Sequence, residues 1–132
     1  MVADLSQHVT PATLGLRDAL AAAADLRTTV EVTLDHLRRL PRSMSSLYLA
    51  RGDRLRCLGQ RGRTHVQDGL MMSVGVVGRT FRSGEPVRTL AADSPDYIAE
   101  VPGVVEEVCV PIRVGGEVVG VLNVECTQLL PP

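Results

Sequence analysis

Apolar residues follow two different rhythms along the chain. Up to about residue 40 they recur at helical spacing; from about residue 45 they alternate as in strands. Leu16, Leu20, Ala23 and Ala24 share one stripe, on a helix that Thr10 caps, Pro11 opens and Ala24 closes. A second helix is predicted to start near Asp25–Thr28, with Leu26, Val30, Leu34, Leu37 and Leu40 on its apolar face. Arg38 and Arg39 suit the negative end of its dipole, and Pro41 ends it. Residues 1–9 carry no period and are expected to be a flexible lead.

Strand signals follow. Residues 46–50 and 54–59, joined by a turn at Arg51-Gly52-Asp53, predict a hairpin, followed by a polar loop at 60–64 and a third strand over 65–72. Residues 73–84 predict a short helix with Ser73 as N-cap and Gly84 as its stop. A short strand is expected at 85–89, then a long loop over 91–103 with one helical turn at 96–100. Residues 108–114 alternate, Gly115-Gly116 suits a two-residue turn, and 118–124 form a return strand apolar on both faces. The fold class implied is α+β: one antiparallel sheet of about six strands, with the N-terminal helices on one face.

Composition narrows the chemistry. The 132 residues suffice for one domain with its own core. The net charge of −1 gives no basic surplus for nucleic acid or anionic lipid. All 14 cations are arginine. Without lysine there is no phosphate loop of the GxxxxGK[ST] kind, no kinase strand lysine and no Schiff-base amine. The only aromatic residues are Tyr48, Phe81 and Tyr97, too few for an extended stacking wall. Cys57, Cys109 and Cys126 are odd in number and lack CxxC spacing, so neither a disulfide framework nor a zinc knuckle is indicated. They read as small buried hydrophobes of a cytoplasmic protein. No apolar run approaches the length of a membrane span.

Several residues are candidates for chemistry. The N-terminus of the 74–83 helix offers free N–H groups; Gly75 and Gly78 permit close approach, and Arg79 and Arg82 can grip an anion. The alternative is tight helix–sheet packing by the glycines and solvated arginines. Phe81 and Tyr97 are either walls of a site or core residues. Asp93 is expected to cap the turn before Pro95, with ligand contact as the alternative, and His65 to be exposed beside a loop.

The run Gly75-Val76-Val77-Gly78-Arg79-Thr80-Phe81-Arg82-Ser83-Gly84-Glu85-Pro86 resembles the central segment of GAF domains. Asp93 and Pro95-Asp96-Tyr97 resemble the loop that follows it in that family. Glu107-Val108-Cys109-Val110-Pro111-Ile112 and then 115–124 resemble the closing hairpin, so that the likeness spans about residues 26–126. The resemblance implies a single domain over 10–128, with helices at about 10–40 and the sheet and pocket at about 45–126. Residues 129–132 then read as a truncated linker to an output module. It also implies a small-molecule pocket on the sheet face opposite the N-terminal helices. Candidate ligand-binding residues there are Val77, Gly78, Arg79, Phe81, Asp93, Tyr97, Glu107, Cys109, Asn123 and Glu125.

The family's branches differ in chemistry. The one that reduces free methionine-R-sulfoxide has three cysteines, which align here on Gln67, Val77 and Glu100. Its pocket carboxylates align on Glu107, Asn123 and Glu125, two acids and one amide; they are expected to be solvated or hydrogen-bonded strand-end residues, with recognition of a ligand amine as the alternative. The bilin branch's Cys-His pair is absent, and the lysine of the cyclic-nucleotide signature cannot be present, so binding of that ligand would have to use backbone N–H groups. The resemblance therefore implies a non-catalytic sensory or regulatory domain with no identified cofactor. It would bind an unidentified small-molecule effector and signal through its terminal helices to the output domain of a larger protein. The alanine-rich first helix points to a homodimer. The alternatives are a ligand-free dimerisation module and, third, the sulfoxide reductase.

Overall fold

The computed structural model describes residues 11–62, 68–99 and 101–132. Two helices come first, α1 (Pro11–Ala22) and α2 (Leu26–Leu37). The strands β1 (Ser43–Arg51), β2 (Arg54–Arg61) and β3 (Leu70–Met71) follow, then α3 (Gly75–Ser83), β4 (Val87–Leu90), a 3₁₀ turn (Ala91–Asp93), β5 (Glu106–Val114) and β6 (Glu117–Cys126). The six strands form one sheet in the order β3-β2-β1-β6-β5-β4, with every pairing antiparallel.

The caps explain where α2 begins and ends. Asp25 takes an extended conformation and its carboxylate accepts the Thr28 N–H at 2.7 Å. The helix stops at Leu37, three residues before Leu40, the last residue of its expected stripe. Pro41 disfavours helical geometry at Leu40, and Ser43 Oγ donates to the carbonyl oxygens of Leu40 at 2.8 Å and Leu37 at 3.4 Å.

The sheet separates two apolar layers. Val30 and Leu34 of α2 pack on Leu47, Leu49, Ile112 and Leu122. On the other face, Val76 and Val77 of α3 join Tyr48, Leu55, Cys109 and Val121. Gly59 allows α2 to lie directly on β2, since a Cβ there would stand 2.9 Å from both Leu34 and Val30 side chains. Arg61 secures the same contact, reaching Glu31 and, at 2.9 Å, Asp35 of α2. β6 buries Val121 on one face and Val124 on the other, as its two-sided pattern requires.

The β5–β6 turn has positive φ at both Gly115 (57°) and Gly116 (81°), which a two-residue turn with the native strand twist demands. Pro111 fits inside β5 because β4 pairing ends at Val87↔Cys109, leaving no ladder partner beside it on that edge.

Three local expectations are corrected. α3 is capped by Val74 rather than Ser73, with no side-chain hydrogen bond. Of the strand expected over 65–72, only Leu70 and Met71 pair with β2; residues 63–67, including His65, lie outside the described residues. The 91–103 loop has its helical turn at Ala91–Asp93, not at 96–100. A tight turn at 94–97 replaces it, because Ser94 Oγ donates to Asp96 Oδ1 at 2.7 Å and the Tyr97 N–H donates to the Ser94 carbonyl oxygen.

Candidate functional site

Strand alternation decides which side chains meet. Register pairs Ser46 with Asn123, Asn123 with Cys109, and Glu125 with Glu107. These residues share the parity of Cys109 and Val121, so they occupy the face covered by α3. All are buried: Ser46 and Cys109 are 0% exposed, Asn123 2%, and Glu107 and Glu125 each 4%. An otherwise apolar face thus holds a compact polar group of two carboxylates, an amide, a hydroxyl and a thiol.

A hydrogen-bonded chain runs through it. Cys109 Sγ donates to Asn123 Oδ1 at 3.2 Å and also lies 3.7 Å from Glu107 Oε1. Asn123 Nδ2 donates to Glu125 Oε1 at 3.3 Å. Ser46 Oγ has no hydrogen-bond partner. A buried hydroxyl in that condition costs stability unless something answers it. Burial, followed by the neighbouring Glu107 charge, pushes the Cys109 thiol far above its ordinary value. It is a neutral donor, not a thiolate nucleophile.

The apolar side of the site comes from three places. Val77 and Phe81 on α3, Tyr97 in the 91–103 loop and Cys109 on β5 pack in one cluster. The loop is held to α3 at two points. Arg79 Nε lies 3.0 Å from Asp96 Oδ2, and Ile98 rests over Gly75, where an added Cβ would lie 3.1 Å from it.

The sequence candidates therefore separate. Val77, Phe81, Tyr97, Glu107, Cys109, Asn123 and Glu125 lie on one face of the sheet and its cover. Gly78 is buried against the Met72–Ser73 backbone, where a Cβ would stand 3.0 Å from the Met72 carbonyl oxygen. Arg79 is committed to Asp96, and Arg82 donates to the Met72 carbonyl oxygen at 3.0 Å. Asp93 is exposed, and Asp96 does the turn-closing expected of it. Ser46 was missed, because nothing but strand register distinguishes it from Ser45 beside it. Among the described residues no group of His, Cys, Asp and Glu is placed to hold a metal ion. No helix among them is long and apolar enough to cross a membrane.

The sequence pattern of the GAF domain matches residues 23–129. The chain belongs to the GAF domain family. Free methionine-R-sulfoxide reductase from Neisseria meningitidis, solved with its substrate, shares this GAF domain's fold with a TM-score of 0.82 at 20% identity, over 98% of this chain and 79% of that one. The GAF domain of a phosphoenolpyruvate-protein phosphotransferase from Coxiella burnetii gives 0.77 at 18% identity, over 90% of this chain and 81% of that one. The GAF domain of nlh2 from A. aeolicus, in an inactive state, gives 0.73 at 18% identity, over 86% and 76%. No curated protein matches the sequence. At these identities the likeness is one of fold. Of the three positions on which the resemblance aligns the reductase branch's cysteines, Val77 is buried in α3, and Gln67 and Glu100 lie outside the described residues.

Proposed function

We propose that this GAF domain is a non-catalytic sensory or regulatory module of a larger cytoplasmic signalling protein, and that it binds a small molecule against the α3 face of its sheet. The observation that carries the reading is Ser46 Oγ, fully buried and unanswered beside Asn123, next to the cluster of buried carboxylate and amide groups on this face. Glu107, Glu125 and Asn123 Oδ1 are acceptors, and they favour a ligand bringing donors such as an amine. Val77, Phe81 and Tyr97 supply the apolar contact, and Asp96 with Arg79 closes the loop over it. Catalysis by thiol exchange is disfavoured by the buried, strongly protonated Cys109 and by the absence of a paired cysteine.

Native mass spectrometry of the purified chain, followed by denaturation, is the test. The expected result is an excess mass that leaves on denaturation and is lost in Asn123→Leu. A second reading rests on the close packing of Val77, Phe81, Tyr97 and Cys109. It makes the domain a ligand-free homodimerisation module working through α1. A clean dimer, with no stabilisation by any amine or nucleotide tried, replaces the first reading with the second. Thiol-dependent turnover of free methionine-R-sulfoxide overturns both.

A further inference from the structure

Glu106 and Glu107 are neighbours on β5, so their side chains leave opposite faces of the sheet. Glu107 belongs to the candidate site. Glu106, 2% exposed, faces the α2 side at the β4 edge. There it accepts from Arg88 Nε with one oxygen and from the Leu130 N–H at 2.8 Å with the other. Arg88 completes the grip: its Nη2 donates to the carbonyl oxygens of Leu130 at 3.0 Å and Pro131 at 3.3 Å. The chain after β6 is thereby drawn across β5 to β4, a span of two strand spacings, or about 10 Å. It starts from two anchors, Val105 N–H on the Cys126 carbonyl oxygen and Thr127 N–H on that of Arg42. Leu129 and Leu130, with Arg88, Thr89, Leu90 and Glu106, line a groove of about 340 Å³ beneath this crossing.

This arrangement is more than surface pairing. The carboxylate is removed from water and bonded at both oxygens, and its partners are a guanidinium and one main-chain N–H rather than a second flexible side chain. A seat of that kind recognises an extended backbone in one register. Its position matters because one peptide unit joins the seat to Glu107. A change in pleat or twist at Glu107 reaches Glu106 through that single peptide unit.

We propose that Arg88 and Glu106 form a latch that holds the segment after β6, and that the latch is the output of the site on the other face of β5. The proposal rests on the sensory reading for its purpose but not for its test. With Glu107 and its pairing partner Glu125 in one arrangement the latch is closed. A ligand that rearranges them loosens Leu130 and frees the segment after β6.

Hydrogen exchange of the whole chain tests both halves without a ligand. The Leu130 amide is expected to exchange at least tenfold slower than an unstructured amide, and Glu106→Gln and Arg88→Gln are each expected to abolish that protection. Arg88 is half-exposed, so its variant keeps the test valid if Glu106→Gln fails to fold. Glu107→Gln, on the opposite face, is expected to change Leu130 exchange at least threefold. An unprotected Leu130 in the unaltered chain overturns the latch. A protected Leu130 indifferent to Glu107→Gln overturns the coupling and leaves small-molecule binding to be judged by mass spectrometry alone.

Discussion

Gly59 lies directly beneath Leu34, with room for no side chain between β2 and α2. A Cβ on Gly59 would come within 2.9 Å of Leu34 Cδ1 and Val30 Cγ1, and both of those residues are buried. Gly59→Val is expected to destabilise the domain by about 1–3 kcal/mol, the usual cost of overpacking a closed core. Leu34→Ala, the opposite error, is expected to cost about 2–5 kcal/mol. Urea unfolding of the two variants checks both, and a neutral Gly59→Val would show that α2 can lift from the sheet freely.

Thiol labelling should distinguish the three cysteines. Cys57 is half-buried, whereas Cys109 and Cys126 are buried. Burial raises both buried thiols, helped by Glu107 at Cys109 and by Glu106 at Cys126. With a thiol reagent at pH 8, one equivalent is expected to react quickly and two only at the rate of unfolding. Rapid reaction of Cys109 would contradict the sealed site and reopen thiol chemistry.

Acid should release the latch. The Arg88 hydrogen bond, aided by the Leu130 amide, holds Glu106 below its ordinary value of 4.5. A depressed carboxyl contributes stability that is complete above its unfolded value and is lost as pH falls through the lower folded one. The groups facing it are Arg88 on β4 and Cys126 on β6, and the thiol stays neutral throughout this range. Stability lost in Glu106→Gln is therefore expected at pH 7 and to shrink steadily below pH 4.5. A difference independent of pH would mean that the carboxylate charge does not hold the segment.

Loosening the 91–103 loop should cost little stability. Arg79 and Asp96 are partly exposed, with side chains at 40% and 30%, so their ion pair contributes less than about 1 kcal/mol. Asp96→Ala also removes the bond to Ser94, and it is expected to speed exchange of the Tyr97 amide severalfold with almost no change in melting temperature. An unchanged Tyr97 amide would place the hold on the loop in Ile98 and Gly75 instead.

Local chemistry made much of the architecture legible. Asp25, Pro11, Gly115-Gly116 and the alternation of β5 and β6 each act within a few residues, so their signals survive in the sequence. The candidate site was legible as far as its family motif reaches, at Glu107, Asn123 and Glu125. Ser46 and the Arg79–Asp96 pair were not, because both depend on contacts set by register and loop path. The Glu106–Glu107 division of labour was equally hidden. Two adjacent glutamates look interchangeable until the pleat assigns each to a face and the returning chain meets only one of them.

The strand order has a consequence for how the molecule is made. β6 is the last strand to leave the ribosome, yet it stands between β1 and β5 at the middle of the sheet. Until it arrives, the β1–β2–β3 and β4–β5 pieces share no strand, and β1 and β5 each present an open edge. Closure joins Ser43 to Cys126, across most of the chain, so the pairings that unite the two pieces are long-range and wait for β6.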